Sequence, residues 1–264
     1  MPLLDVRALH VRARGTDLVD GVDLRVDRDE RVAVLGPSGS GKSLTAAAVL
    51  GILPPALTVA GSVRLGEREV LGVPAARRAR RDRPGSVRQD PAAALHPLVP
   101  VGRQLAAARG RTLRTVRPVL TETLRDLGFR DPARVLGALP AELSGGQRQR
   151  ICLALALAGG SPLLVADEPT TALDVVTQAG VLDLLRARTG PGTGRGLLFV
   201  THDIAVAAAL CDRVVVLQDG RVVEDGPVAV TLRAPRHPLT ASLLDAARDV
   251  ETHLGPLLTR RVPA

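Results

Sequence analysis

The sequence predicts an α/β fold: a mainly parallel sheet covered on both faces by helices, with a small antiparallel sheet at the N-terminus and an all-helical insertion near the middle. Three observations predict it. The runs Val32 to Leu35, Leu163 to Ala166, Leu197 to Thr201 and Val214 to Leu217 are short and apolar or uncharged, as strands buried on both faces are, and helical stretches alternate with them. From about Pro91 to Gly160 the pattern is helical alone, in pieces such as Val101 to Ala108, Val116 to Leu127 and Gln147 to Ala158, parted by proline or glycine. Strict alternation from Asp20 to Asp29 puts Val22, Leu24 and Val26 on one face and Asp23, Arg25 and Asp27 on the other. That is a half-exposed strand, and with the run Leu4 to Val11 it makes the small antiparallel sheet. Near the C-terminal end of the fold, Asp219 and Gly220 form a hairpin turn toward Val222 and Val223.

Between the Val32 strand and the alanine-rich run Leu44 to Leu53, which predicts a helix, lies Gly36, Pro37, Ser38, Gly39, Ser40, Gly41, Lys42, Ser43. This is the P-loop pattern of a glycine, four free positions and Gly-Lys-Ser, in the strand-to-helix context it requires. Glycines let the backbone wrap closely around an anion. The N–H groups of the turn, running on to Leu44, then point inward, and the positive end of the helix dipole faces the same spot. A polyphosphate is the natural occupant, with Lys42 along its outer phosphates and the Ser43 hydroxyl as a ligand to a magnesium ion bridging them. Lys42 is the only lysine among the 35 Lys plus Arg residues, in a chain that otherwise uses arginine. A compact ammonium on a flexible stem stands where one is needed.

The totals bound the remaining classes. A chain of 264 residues has ample core for one large domain or two small ones. Cys152 and Cys211 lie in apolar runs without metal-type spacing and read as buried thiols in a reducing compartment. Asp5 and Arg7 stand near the start with no long apolar segment after them, so no secretory signal is expected. The uncharged run Leu44 to Val63 is broken by Pro54 and Pro55 and is not expected to span a membrane. A net charge of +8 raises the question of nucleic acid, but Phe129 and Phe199 are the only aromatic residues of the three large types, which leaves almost nothing for bases to stack on. The cluster Arg77, Arg78, Arg80, Arg81 and Arg83 accordingly reads as a solvated face or a protein-docking surface, and no nucleic-acid partner is expected.

Four further stretches carry chemistry. Gln89 stands in Gln89, Asp90, Pro91. Leu143, Ser144, Gly145, Gly146 and Gln147 open a helix. Asp167 and Glu168 end an apolar strand, and His202 follows another. With the P-loop and in this order, these stretches resemble the nucleotide-binding subunit of an ABC transporter, from about Val22 to Gly226. The resemblance implies a P-loop NTPase of RecA-like architecture. It implies an ABC ATPase domain over 1–228, with a helical subdomain at about 91–160, and a C-terminal tail over 229–264.

It also implies roles. Asp167 would hold magnesium, together with Ser43 and Gln89, and Glu168 would be the general base that deprotonates the attacking water. His202 resembles the family's switch histidine on the terminal phosphate, Gln89 the residue that touches magnesium or the attacking water, and Asp174 the loop that communicates across the dimer. Ser144, Gly145, Gly146 and Gln147 would close over nucleotide held by an opposing subunit, so that two ATP molecules are sandwiched head to tail. Many members stack adenine on an upstream aromatic residue. None lies between Val11 and Leu18, which leaves His10 or an arginine such as Arg12 to cover the base.

The pattern Gln89, Asp90, Pro91 followed by Ala94, Leu95, His96, Pro97 is similar to that of the peptide and nickel importer ATPases. The tail Pro235, Arg236, His237, Pro238, Leu239, Thr240 resembles their His-Pro-Tyr-Thr segment. Ser43 to Thr45 and Leu50 to Pro54 look closest to the nickel type, and no cysteine follows Cys211, where the longer peptide-importer ATPases have a cysteine-bearing extension. This branch implies a second, similar ATPase subunit in a heterodimer, or a homodimer, with two membrane permeases at the cytoplasmic face of the membrane. It also implies that an extracytoplasmic substrate-binding protein selects the cargo. His96, His237 and His253 show no ligand spacing, so nickel would be cargo without binding this chain. The alternative is a non-transport ABC ATPase, of the phosphonate-breakdown type or associated with nucleic acid.

Overall fold

A computed structural model describes residues 1–87, 94–169 and 175–247 of the chain. Strands β1 (Leu4–Ala13), β2 (Thr16–Val26), β4 (Thr58–Leu65) and β5 (Arg68–Glu69) form an antiparallel sheet in the order β2-β1-β4-β5. Strands β3 (Arg31–Leu35), β6 (Gly85–Val87), β7 (Leu163–Asp167), β8 (Gly196–Val200), β9 (Arg213–Gln218) and β10 (Arg221–Pro227) form a second sheet in the order β10-β9-β3-β8-β7-β6. Its pairings are parallel except for the β9–β10 hairpin. That hairpin turns at Asp219 and Gly220, both at positive φ, as a two-residue turn matched to strand twist requires.

Side chains alternate across the central sheet, and the two faces meet different partners. Val32, Val34, Leu198, Val200, Val215 and Leu217 pack with α1 (Lys42–Leu50) and the antiparallel sheet. Ala33, Leu35, Leu197, Phe199, Val214 and Val216 pack with α2 (Val101–Ala108), α3 (Leu113–Asp126), α4 (Pro132–Gly137), α5 (Gly145–Ala158), α6 (Val175–Arg188) and α7 (Ile204–Leu210). A fully buried side chain such as Phe199 or Leu197 contributes about 1.5–3 kcal/mol, so each face is held by many such terms. The short α8 (Val228–Thr231) and the helical residues 238–247 join the second face through Val228, Leu239, Leu243 and Leu244.

Glu224 ties that last segment down. A register shift in β10 precedes it, and its carboxylate accepts the backbone N–H groups of Arg236 (2.9 Å) and His237 (3.2 Å). Burial opposes ionisation, but the Thr240 hydroxyl and these two amides outweigh it and hold the carboxyl below its usual range. A depressed folded-state pKa contributes stability above the ordinary carboxylate range, and this is lost as pH falls through the depressed value.

Several expected boundaries shift. The P-loop helix runs from Lys42 to Leu50 rather than from Leu44 to Leu53, because Gly51, at φ 71°, ends it in the left-handed conformation. The second strand starts at Thr16 and ends at Val26, giving way to a turn at Arg28 and Asp29, where Asp29 takes φ 63°. Strands β4, β5 and β6 and helix α4 carry too weak a pattern to be read from sequence. Among the described residues no helix is long and apolar enough to cross a membrane.

The arginine cluster is not uniformly a solvated face. Arg78 is 4% exposed and donates to the carbonyls of Val73, Val70, Ala48 and Val49. The last two belong to the C-terminal turn of α1, where carbonyls lack intrahelical donors and the helix dipole is negative. Burial lowers the Arg78 pKa, with Asp82 opposing. Arg80, on the same segment, donates to the Ala108 carbonyl that ends α2. Neighbouring arginines thus cap one helix on each side of the sheet.

Gly51 makes room for this. A Cβ there would lie 2.5 Å from Arg78 Nη2 and 2.7 Å from the Val73 carbonyl. Gly51→Ala should therefore lower the urea midpoint by the equivalent of about 1–3 kcal/mol. An unchanged midpoint would show that the cap gives way without cost.

Candidate active site

The P-loop sits between two pieces of backbone. A Cβ on Gly36 (φ 148°) would lie 2.2 Å from the Leu217 carbonyl of β9, and one on Gly41 (φ 98°) would lie 3.0 Å from the Leu18 carbonyl of β2. The tip of the β9–β10 hairpin closes the arrangement: Gly220 N–H donates to Ser40 O (3.2 Å), and Asp20 N–H donates to Gly220 O (2.8 Å). Only glycine lets the turn pack this tightly and still aim its N–H groups outward.

Lys42 is buried and folds back over the turn. Its Nζ donates to the carbonyls of Gly36 and Pro37, both at 2.8 Å. Burial lowers its pKa, while the charges of Glu168 and Asp167 oppose that shift. Ser43 Oγ donates to Asp167 Oδ1 at 3.2 Å, joining the first turn of α1 to the end of β7. Two hard oxygen donors side by side fit a magnesium ion. Glu168, one residue beyond β7, takes φ 46°, and its N–H donates to Val200 O of β8 (2.9 Å). His202 Nδ1 lies 3.3 Å from Glu168 Oε1, within reach of donation in the Nδ1-protonated tautomer.

Lys42, Ser43, Glu168 and His202 face one cleft of about 630 Å³, lined also by Ser38, Gly39, Ser40, Gly41 and Leu44, with Asp167 joined to it through Ser43. Three segments far apart in sequence meet at the carboxyl ends of β3, β7 and β8, where open α/β sheets bind ligands. Ser144, Gly145, Gly146 and Gln147 are not among the lining residues. They form the N-terminus of α5, where Ser144 Oγ accepts Gln147 N–H (3.3 Å) and Gln147 Oε1 accepts Ser144 N–H (3.0 Å). This capping box leaves the N–H groups of Gly145 and Gly146 without intrahelical acceptors. Gln89 and Asp174 lie outside the described residues. His10 pairs with Asp20 and Arg12 with Asp17, and neither lines the cleft. Among the described residues no cluster of His, Cys, Asp and Glu could hold a metal by itself.

The family model described as ABC transporter matches residues 19–171. The chain belongs to the ABC transporter family. Its ABC relatives include the oligopeptide transport ATP-binding protein OppD of Mycobacterium tuberculosis, 44% identical over 99% of this chain and 44% of that protein. The chain thus spans under half the length of that relative. The nickel import ATP-binding protein NikD of Rhodospirillum rubrum is 44% identical over 87% of both chains. The dimeric post-hydrolysis structure of the ATP-binding cassette MJ0796, bound to ADP and Pi, superposes with a TM-score of 0.72 at 26% identity, covering 85% of this chain and 98% of that one. The fold of this ABC chain is therefore that of the P-loop NTPases.

Sequence reading missed Gln149, a buried amide on α5 whose Nε2 donates to Pro169 O at 2.6 Å. No sequence signal marks it, since it stands in the polar run Gln147, Arg148, Gln149, Arg150.

Gly36→Ala and Gly39→Ala should behave differently, because a methyl at Gly39 meets open space whereas one at Gly36 meets the Leu217 carbonyl. By calorimetry, Gly36→Ala should weaken pyrophosphate binding at least about tenfold and Gly39→Ala only about twofold, the latter from φ strain. Equal losses would mean that the backbone beneath the turn does not shape it.

Proposed function

We propose that this chain is the ATP-binding and ATP-hydrolysing subunit of an importer that moves nickel or short peptides through separate membrane permeases. The observation that carries the reading is the convergence of Lys42, Ser43, Asp167, Glu168 and His202 on one phosphate-sized turn. The relatives named above, one for oligopeptide transport and one for nickel import, support the cargo class.

In this reading the N–H groups from Gly39 to Leu44 take up the β- and γ-phosphates, and Lys42 transfers its ammonium from the Gly36 and Pro37 carbonyls to the outer phosphate oxygens. Ser43 and Asp167, with Gln89, would hold a magnesium ion, which would neutralise charge on the phosphates. Glu168 accepts a proton from the attacking water, a role worth about 10²–10⁴ in rate. His202 orients the Glu168 carboxylate and faces the terminal phosphate.

The Ser144 turn lies outside this cleft, and in this reading it serves a nucleotide on a second subunit, with Asp174 read as part of the loop that communicates across the dimer. That second subunit is a similar ATPase, in a heterodimer or a homodimer. The pair docks peripherally on two permeases at the cytoplasmic face of the membrane, supplied by an extracytoplasmic binding protein. The ATPase unit covers 1–228, with its helical subdomain at about 91–160 and a tail beyond.

Glu168→Gln should bind ATP normally and turn over about 10²–10⁴ times more slowly, accumulating as a nucleotide-loaded dimer in size-exclusion chromatography. Undiminished turnover would remove Glu168 from its role. Lys42→Ala should lose tight ATP binding by calorimetry, and unchanged affinity would mean that the turn is occupied otherwise. Co-expression with candidate permeases, followed by uptake of labelled nickel against labelled dipeptide, tests the cargo; uptake of neither would exclude both.

A further inference from the structure

Glu168 takes φ 46°, a left-handed backbone conformation uncommon for a residue with a side chain, and two hydrogen bonds flank it. On one side its own N–H donates to Val200 O of β8 (2.9 Å). On the other, the next residue, Pro169, is buried and has no N–H, so its carbonyl is the one main-chain group it offers. That carbonyl accepts Gln149 Nε2 at 2.6 Å. Gln149 is 4% exposed, and its partner lies 20 residues away in sequence. A positive φ at a residue placed for catalysis persists where the structure around it over-determines it. Here the sheet supplies one restraint and helix α5 the other.

Helix α5 begins at the Ser144 cap, and Gln149 stands five residues on, about 7.5 Å along the axis. One rigid helix therefore carries the serine-glycine turn at its tip and grips the Glu168 turn from its second turn. We infer that Gln149 is a positioning residue: it fixes the carboxylate of Glu168 through the Pro169 carbonyl and ties that carboxylate to the position of the Ser144 turn. The inference rests on the reading of Glu168 as the general base and of Ser144 as a contact to nucleotide on a second subunit. Movement of α5 as its tip engages that second nucleotide moves the Glu168 turn with it. Occupancy of one half-site then sets the geometry of the other through helix α5 and the Gln149–Pro169 hydrogen bond.

Gln149→Leu removes the donor and keeps the volume, and Gln149→Met does the same with a more adaptable side chain should the branched one disturb folding. The measurements are steady-state ATP hydrolysis by the full chain, affinity for a fluorescent ATP analogue, and the melting temperature. The expected result is a kcat lowered about tenfold, with KM and analogue affinity within about twofold of the parent, and a Hill coefficient for ATP that falls toward one. A parental kcat and Hill coefficient in both variants would overturn the inference. So would a parallel loss of kcat, affinity and melting temperature, which is what a merely structural amide would give. Glu168→Gln is assayed alongside. If it arrests turnover while both Gln149 variants match the parent, this inference alone fails; if it turns over fully, the assignment of the base fails and takes the inference with it.

Discussion

The site depends on how closely the P-loop can approach its neighbours. Gly36 lies against the Leu217 carbonyl, Gly41 faces the Leu18 carbonyl, and the Gly220 amide holds Ser40 from behind. With its back against this backbone the turn cannot collapse inward, so its N–H groups are left to face outward. An anion then meets preorganised donors rather than a loop that must first be ordered. Lys42 fits the same logic: its ammonium is buried on the Gly36 and Pro37 carbonyls, and the charges of Glu168 and Asp167 offset part of what burial costs it.

The remaining structure brings distant residues to that turn. Because β3 lies between β8 and β9, with β7 next to β8, the carboxyl ends of β3, β7 and β8 open on one side, and Asp167, Glu168 and His202 arrive there from strands that carry few other polar groups. The two faces of the sheet divide the labour. One packs α1 against the antiparallel sheet, which fixes the P-loop helix. The other packs the helices that carry Ser144 and Gln149. Arg78 and Arg80 cap a helix on each face from one short segment, so the two halves share a support as well as a sheet.

Much of this was legible in the sequence, for a physical reason. The P-loop needs fixed residue types at fixed spacing, and buried parallel strands read as apolar runs, so β3, β7, β8 and β9 and the residues at their ends could be found from Val32 to Leu35, Leu163 to Ala166, Leu197 to Thr201 and Val214 to Leu217. The strand alternation of Val22, Leu24 and Val26 worked for the same reason. What escaped depends on tertiary partners. Arg78 is indistinguishable in sequence from Arg77 or Arg81, since only packing decides which guanidinium turns inward onto α1. Gln149 looks like one more polar residue after Gln147, and its meaning lies in a carbonyl 20 residues further on. Strands β4 to β6 are short or interrupted by glycine, with too few alternating positions to outweigh turn-like composition.

The most direct measurement is a structure of the chain with a non-hydrolysable ATP analogue and magnesium. The phosphates should rest on the N–H groups of residues 39–44 with Lys42 Nζ on their outer oxygens, and Ser144 of a second subunit should reach the terminal phosphate from the opposite side. Phosphates bound away from Lys42 and Ser43, or a site closed around the analogue within a single copy, would contradict it.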